Sequence, residues 1–453
     1  MKTHLPKITV PFYTPIPQVI EKISKAFKTR GDVLEVRGFP IRVFCFRNPE
    51  HCRQILTHKT VGETKMPALL PRVKWVMGKG AYIMAGGKAW RTKRHQVQAA
   101  FSAEKILDYC SVIPEIAGVT LTRLKKQEGA FDLYEEMQRL ITAFSFKAFF
   151  SEDLKPEDLE AAYRQTHFVE KHFAVFMPHW IPFKKNLLFS IAAERIKKTM
   201  LKILRRRRVH PKATGDVLEL LLTLRDEEGK PWTDDGIAGE MLSIYFGASV
   251  MATTLTWAIS LLSQSPEVRL RLKQELDQVL QGKTPNSEDL KQLPYLKSVF
   301  EEVVRLYPPS WGYPRFCAEG MNVGGFQIPP KALLIPMVWD LHRHPGIWKN
   351  PSNFDPGRFA PEESQIPFSH LPFGAGPRAC LGKNLAPPVI QLILAQMIQN
   401  DDIELESQEL PIADFGFEIA PKGKILAKLN FLSKQDQQNP RHQHSKHEPT
   451  SPF

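Results

Sequence analysis

A ten-residue stretch around one cysteine is the feature that most constrains this chain. It runs from Phe373 to Gly382 with the sequence FGAGPRACLG, and a run of helical character, Leu385 to Met397, follows it. A thiolate at the start of a helix is stabilised by the positive end of the helix dipole and by nearby backbone N–H groups. The glycines let the backbone approach a bulky group, and the arginine can pair with an anion beside the thiolate. The stretch predicts a thiolate ligand for a metal, whereas an isolated cysteine would more often be a buried free thiol.

The complete string resembles the cysteine loop of the cytochrome P450 superfamily. The family pattern is Phe, any two residues, Gly, any, Arg, any, Cys, any, Gly, and its fixed positions are present here as Phe373, Gly376, Arg378, Cys380 and Gly382. The resemblance implies that Cys380 is the axial ligand of heme b (iron protoporphyrin IX), where a thiolate pushes electron density towards O–O cleavage. It also implies that Phe373 packs near the thiolate and tunes the iron, and that Arg378 holds a heme propionate.

Two further places carry groups suited to the heme propionates. Trp90 and Arg94 are four residues apart, so they share a face if this segment is helical. In the resembled family a Trp-x-x-x-Arg helix reaches a propionate, for which an indole N–H and a guanidinium are suitable donors. Taken alone, the same letters would also fit an amphipathic basic helix. The family places an arginine at the position of Arg315 against the second propionate.

A glutamate–arginine pair is predicted to be structural. Glu302 and Arg305 are neighbours on a helix face, and a pair of this kind on a surface contributes only about 0–1 kcal/mol. A proline pair follows it, and a Phe-x-Pro-x-Arg-Phe string occupies residues 354–359, as in the resembled family. The resemblance implies that Glu302, Arg305 and Arg358 form a network that fixes the cysteine loop.

A very long helix is predicted from about residue 233 to about residue 265, and Pro266 opens the next helix. Thr233 or Asp234 can cap its start. The family's central helix carries a small residue, Gly, any residue, an acid and Thr, with the Thr 16 residues before such a proline. Here Gly247 fits, but Ser249 stands at the acid position and Val250 at the threonine position.

This departure bears on proton delivery. The acid–alcohol pair normally hands protons to bound dioxygen, and valine has no proton to give. A shifted register would restore a hydroxyl at Thr253 or Thr254, but neither residue is preceded by an acid. Four alternatives remain open: Ser249 holds a water, the substrate supplies a hydroxyl, proton delivery is re-routed, or the protein does not activate dioxygen in the usual way.

The composition is that of a globular protein with a basic surface. The chain has 453 residues, 43% of them hydrophobic, and a net charge of +13. The densest basic block, Arg205 to Arg208, is predicted to be a solvated helix end or loop. No fold for reading bases is evident, so no nucleic-acid partner is expected. No apolar run is long enough to span a bilayer, which predicts no transmembrane anchor and a cytoplasmic location. The five scattered cysteines favour a reducing compartment.

Together these features predict a mainly α fold with a smaller β-rich part (α+β) at the N-terminal side, a cytochrome P450-like fold with a long central helix over the heme. Residues 1–433 would form the heme-thiolate domain and residues 434–453 a disordered polar tail. Substrate contacts are expected from the segments Thr60 to Gly87 and Phe168 to Phe189.

The predicted function is monooxygenation of a hydrophobic small molecule with dioxygen by a monomeric, soluble bacterial-type enzyme of secondary metabolism. Electrons would come from a separate ferredoxin or flavodoxin with its reductase. One alternative is chemistry without the usual proton relay, namely phenol coupling, peroxygenation or isomerisation. The other is a heme-binding protein without catalysis.

Overall fold

The structure is a computed structural model that describes residues 5–11, 14–61, 71–78, 81–173, 184–400 and 402–430. The predicted tail, 434–453, lies outside the described residues. The two segments predicted to contact substrate lie partly outside them, because residues 62–70, 79–80 and 174–183 are not described.

Helices account for most of the described chain. They are α1 (Ile16–Arg30), α2 (Pro49–Thr57), α3 (Pro71–Met77), α4 (Gly87–Gln98), α5 (Ala103–Ser111), α6 (Ile113–Lys126), α7 (Leu133–Phe150), α8 (Pro156–Phe173), α9 (Lys184–Val209), α10 (Val217–Thr223), α11 (Asp234–Ser263), α12 (Pro266–Leu280), α13 (Pro294–Leu306), α14 (Val338–Leu341) and α15 (Ala386–Asn400).

The strands are short. They are β1 (Lys7–Thr9), β2 (Val33–Arg37), β3 (Val43–Phe46), β4 (Phe131–Asp132), β5 (Arg315–Cys317), β6 (Met321–Val323), β7 (Phe326–Ile328), β8 (Ala332–Pro336), β9 (Asp402–Leu405), β10 (Ala413–Phe415), β11 (Ile419–Pro421) and β12 (Leu426–Asn430).

The largest sheet has the strand order β1-β2-β3-β8-β5. Strand β3 pairs antiparallel with β2 and parallel with β8, with Val43 opposite both Val36 and Leu333. The sheet therefore joins the N-terminal strands to strands from residues 315–336. The predicted α+β class is confirmed, but the β-rich part is not confined to the N-terminal side of the chain.

Helix α11 is the centre of the helical part and packs against α7, α9, α13 and α15. Its start is capped as predicted, because the Thr233 hydroxyl accepts a hydrogen bond from the N–H of Gly236 at 3.1 Å. In the described part of the chain it is the one helix long and apolar enough to cross a membrane. Its apolar window is 83% buried inside the protein, as in the core helix of a globular fold.

The prediction for the basic block was wrong for one of its members. At the end of α9, Arg207 is buried and forms a bidentate ion pair with Asp216, with Nη2 at 2.9 Å from Oδ2 and Nη1 at 3.2 Å from Oδ1. Its neighbour Arg208 is 40% exposed and pairs with Asp234. A run of identical letters does not indicate which side chain faces inwards; the rotation of the helix decides it.

We predict that Arg207→Met lowers the free energy of unfolding by about 3–5 kcal/mol, because it leaves the Asp216 carboxylate buried without its partner. Arg208→Met is the matched control and should change it by about 0–1 kcal/mol. Urea denaturation of both variants measures the difference. Equal effects would contradict a structural role for the buried pair.

Candidate functional site

The stretch around Cys380 folds into a tight hairpin. The N–H of Cys380 donates to the carbonyl oxygen of Phe373 at 2.8 Å, and the N–H of Ala379 donates to that of Gly376 at 3.0 Å. Gly374 and Gly376 have φ angles of 66° and 69°, in the left-handed region that glycine adopts freely. A Cβ at Gly376 would lie 1.9 Å from the carbonyl oxygen of Leu56, so the hairpin is pressed directly against α2.

Cys380 presents an exposed side chain at the end of this hairpin. A short 3₁₀ turn, Leu381–Asn384, follows it, and α15 begins at Ala386. Pro387 and Pro388 lie in the first turn of α15, where a missing N–H costs no helix hydrogen bond, so the predicted delay of the helix does not occur. The surrounding atoms partly desolvate the sulfur and raise the pKa of the thiol. The N–H of Gly382 and the charge of Arg94 act in the opposite direction and favour the thiolate.

Trp90, Arg94 and Arg378 come together beside this hairpin. Trp90 is buried on α4, and the guanidinium of Arg378 lies over its ring at 4.1 Å from the ring centroid. Arg94 donates from Nη2 to the carbonyl oxygen of Ala379 at 2.7 Å. The indole Nε1 of Trp90 is buried and has no acceptor among the described residues.

Arg315 approaches the site from β5. It donates from Nη1 to the carbonyl oxygen of Pro314 at 3.0 Å, while its Nε is buried without an acceptor in the described part of the chain. Burial lowers the pKa of Arg315 to about 10. The neighbouring Tyr313 donates from its hydroxyl to the carbonyl oxygen of Pro372 at 2.7 Å. This hydrogen bond links the turn before β5 to the residue that precedes the cysteine hairpin. No sequence motif marks Tyr313.

In the buried central part of α11, residues 237–262, three residues are less buried than their neighbours. Gly247 is exposed, Ser249 and Val250 are half-buried, and a Cβ added to Gly247 would meet nothing within 4 Å. Gly247 and Val250 are three residues apart and share the face of the helix that borders open space, whereas Ser249 is turned towards α8.

The two threonines of a shifted register are engaged elsewhere. Thr253 and Thr254 are buried, and their hydroxyls bond to the Tyr134 hydroxyl at 3.2 Å and to the carbonyl oxygen of Val250 at 3.3 Å. The register that puts Val250 at the threonine position therefore fits the structure.

Ser249 has a partner that the sequence did not reveal. Its Oγ is hydrogen-bonded to Oε1 of Glu170 on α8, and it also donates to the carbonyl oxygen of Phe246 at 2.8 Å. Burial raises the pKa of Glu170 well above its ordinary value, and the nearby Glu418 carboxyl adds to this shift. Glu170 lies 79 residues before Ser249, so no local pattern could have linked them.

The predicted glutamate–arginine network is present, with Glu302 and Arg305 fully buried and Arg358 half-buried. Arg305 bonds to Glu302 through Nε at 2.5 Å and through Nη2 at 2.8 Å, and Arg358 donates to the same carboxylate at 3.3 Å. The remaining donors of Arg305 reach the carbonyl oxygens of His342, Pro351 and Asn353.

His342 extends this network to the cysteine loop. Its Nδ1 donates to the carbonyl oxygen of Arg305 at 3.1 Å, and its Nε2 accepts from the N–H of Leu371 at 2.8 Å. Leu371 lies two residues before Phe373, so the chain of contacts ends at the start of the hairpin. Burial lowers the pKa of His342 well below its ordinary value, and the nearby His370 adds to this, while the hydrogen bond to the carbonyl oxygen of Arg305 acts in the opposite direction.

Comparison with known proteins agrees with these features. The family model described as "Cytochrome P450" matches residues 6–427. The chain belongs to the cytochrome P450 family. Among curated proteins it is 30% identical to cyclooctatin synthase of Streptomyces melanosporofaciens over 78% of each chain. It is 27% identical to pentalenene oxygenase of Streptomyces avermitilis over 84% of this chain and 86% of that one.

Solved structures show the same fold. Retinoic acid-bound cyanobacterial CYP120A1 superposes with a TM-score of 0.84 over 95% of this chain and all of that chain, at 24% sequence identity. The cytochrome P450DA heme domain superposes with a TM-score of 0.85 over 95% of this chain and 98% of that chain, at 19% identity. The family match and the relatives named as oxygenases show that the protein is an oxidoreductase, of a family whose members carry heme iron.

The residues of this P450 fit such a group. The hairpin and α11 are the two elements expected to flank the heme. The hairpin carries the exposed Cys380 thiol, and α11 has open space beside Gly247. The buried N–H groups of Trp90 and Arg315 have no acceptor within the described residues, and a bound carboxylate would supply one. The match is chemical: a soft ligand for iron and cationic or N–H donors for propionates.

We predict that Gly376→Ala prevents heme incorporation. Alanine in the left-handed region costs about 1–2 kcal/mol, and here the new methyl would also collide with the backbone of Leu56. Gly374→Ala is the control in the same hairpin, because its Cβ would meet Tyr313 only at an ordinary 3.5 Å. The measurement is heme bound per chain. Equal heme retention in both variants would contradict the close contact with α2.

We also predict that His342 makes stability depend on pH. The native protein holds this side chain neutral, whereas the unfolded chain takes up a proton below about pH 6.5. Its contribution is therefore complete above that pH and is lost as pH falls, by about 1.4 kcal/mol per unit. The stability advantage of wild type over His342→Gln should shrink by this amount between pH 6 and 5 in urea titrations. An advantage that is constant with pH would show that His342 is not held neutral.

Proposed function

We propose that this protein is a heme-thiolate monooxygenase that inserts one oxygen atom of O2 into an apolar small molecule. The observation that supports this most is the hairpin that presents the exposed Cys380 side chain beside Arg94 and Arg378. Membership of the P450 family, with relatives named as oxygenases, supports the reaction class.

In this proposal the Cys380 thiolate would hold the iron of heme b, and Phe373 would lie near the sulfur. Trp90, Arg94 and Arg378 hold one propionate from the α4 side. When bound, the heme supplies dioxygen activation. The protein residues orient it, bury its carboxylates against charge-assisted donors and hold the cysteine backbone rigid.

Arg315 would hold the second propionate from β5. Burial lowers the pKa of Arg315, and no carboxylate among the described residues pairs with its guanidinium; a bound propionate would raise that pKa again. Gly247 and Val250 of α11 would face the other side of the heme, where the substrate binds.

The substrate class proposed is an unsaturated, mainly hydrocarbon skeleton. Two relatives carry names for such reactions, pentalenene oxygenase and cyclooctat-9-en-7-ol 5-monooxygenase. The net charge of +13 suits a small acidic electron carrier, a ferredoxin or flavodoxin with its reductase, docked on the heme-thiolate domain. A cytoplasmic, monomeric enzyme acting in secondary metabolism completes the proposal.

We predict that the reduced, carbon monoxide-bound wild-type protein has a thiolate-type Soret band and that Cys380→Ala lacks it. Cys110→Ala is the control, because Cys110 is a buried cysteine of α5 and is not part of the hairpin. A thiolate-type band in Cys380→Ala would exclude this residue as the ligand, and a wild type that binds no heme would exclude the proposed function.

A second candidate function is peroxide-dependent oxidation, which Val250 favours because a P450 with no hydroxyl at this position lacks the usual donor. Product formation with hydrogen peroxide but not with a reductase system would support it. The same assay with Val250→Thr would test the position directly, since the variant would gain electron-driven turnover.

A further inference from the structure

A carboxyl group of α8 contacts the central helix at the position where the acid of the helix pattern is absent. Glu170 is 6% exposed, and its Oε1 is hydrogen-bonded to Oγ of Ser249. Within the described ranges, no ion pair joins Glu170 to a Lys or Arg side chain. A buried carboxylate without a cation is costly, so this environment favours the neutral acid.

The number of hydrogens available in this contact also indicates that Glu170 is protonated. The Ser249 hydroxyl has one hydrogen, and two acceptors lie within bonding distance, Oε1 of Glu170 and the carbonyl oxygen of Phe246. If Glu170 were ionised, one of the two contacts would have no hydrogen. If Glu170 is protonated, it donates to Oγ while Oγ–H donates to Phe246, and both contacts are hydrogen bonds.

A cavity of about 710 Å³ leads from the surface to this carboxyl group. It lies between α7, α8 and the β10–β11 hairpin, and its lining runs from exposed Lys424 to buried Tyr134, Glu418 and Glu170. The titratable groups that face Glu170 are Glu418 from the hairpin, Tyr134 from α7 and Tyr245 from α11.

Glu418 is suited to accept protons from this cavity. Its Oε1 accepts a hydrogen bond from the Tyr134 hydroxyl at 3.2 Å, and its Oε2 is buried with no partner among the described residues. Burial raises the pKa of Glu418 to about 7, so it exchanges protons near neutral pH.

We propose that Glu170, acting through the hydroxyl of Ser249, delivers protons to the open face of α11 in place of the missing acid–alcohol pair. The Glu170 proton passes to Oγ of Ser249 as the serine proton passes to a water molecule at the open face beside Val250, and solvent in the cavity reprotonates Glu170. This rests on the proposed function: electrons from the redox partner reduce O2, one oxygen atom enters the product, and the two delivered protons leave with the other as water.

The first measurement does not depend on turnover. The infrared difference spectrum between wild-type and Glu170→Gln holoenzyme should contain the carbonyl stretch of a neutral carboxylic acid, present only in wild type. Asp414→Asn is the control, since Asp414 lines the same cavity but is half-buried and forms no hydrogen bond to Glu170 or Ser249. The absence of that band from the difference spectrum would overturn the proposal.

The second measurement separates proton delivery from other roles. In reductase-driven turnover, Glu170→Gln should form product about 100-fold more slowly and release more peroxide, because general acid catalysis contributes about 10²–10⁴-fold. With hydrogen peroxide as oxidant, which brings its own protons, the variant should stay within about twofold of wild type. Glu170→Asp, which keeps the acid, should recover part of the loss.

Ser249→Ala tests the second step and covers the case in which Glu170→Gln fails to fold. It should keep the neutral-acid infrared band and lose reductase-driven product formation. Unchanged coupling in either variant, or weaker substrate binding with unchanged coupling, would overturn the proposal. If wild type itself gives no reductase-driven product, the proposed function fails, and the proton-delivery role fails with it. If wild type gives product and either variant keeps its coupling, only the proton-delivery role fails.

Discussion

The buried pair of Glu302 and Arg305 is the interaction on which the cysteine side of this P450 depends. Both side chains are fully buried, and the guanidinium makes five hydrogen bonds, two to the carboxylate and three to backbone carbonyls of residues 342–353. Removing two charges from water is costly, and a pair is retained only when its donors and acceptors are satisfied, as here. Through His342 and Leu371 the same network sets where the hairpin begins, so a folding interaction also determines where the Cys380 sulfur lies.

The opposite side of the site is organised by contacts between helices. At positions 249 and 250 of α11 the sequence lacks the acid and the threonine of the family pattern. The fold nevertheless brings the carboxyl group of Glu170 on α8 to Ser249. A proton donor is defined by reach and by pKa, and neither property requires the acid to lie on the same helix as the group that it serves. The departure in the central helix is therefore compatible with dioxygen chemistry once the tertiary contact is considered.

What the sequence could predict follows from how local each feature is. The hairpin around Cys380, the cap at Thr233 and the pair Glu302–Arg305 depend on residues close together in the chain, and the structure contains all three. Glu170 and His342 act on partners 79 and 37 residues away, and neither lies in a recognisable motif. Their importance comes from burial and from which helix faces meet, and a single sequence does not contain that information in readable form.

Two neighbouring contacts set the register between α8 and α11. Thr166 donates to the Tyr245 hydroxyl at 3.0 Å, and one turn further along each helix Glu170 meets Ser249. Residues four apart share a helix face, so both contacts form only in one rotation and one axial position of α8. The Thr142 hydroxyl of α7 is hydrogen-bonded to the same Tyr245 hydroxyl at 3.1 Å, and this contact opposes sliding of α11 along its axis. If Glu170 supplies protons, delivery requires α8 to be seated on α11, because a shift of one residue would separate the acid from Ser249.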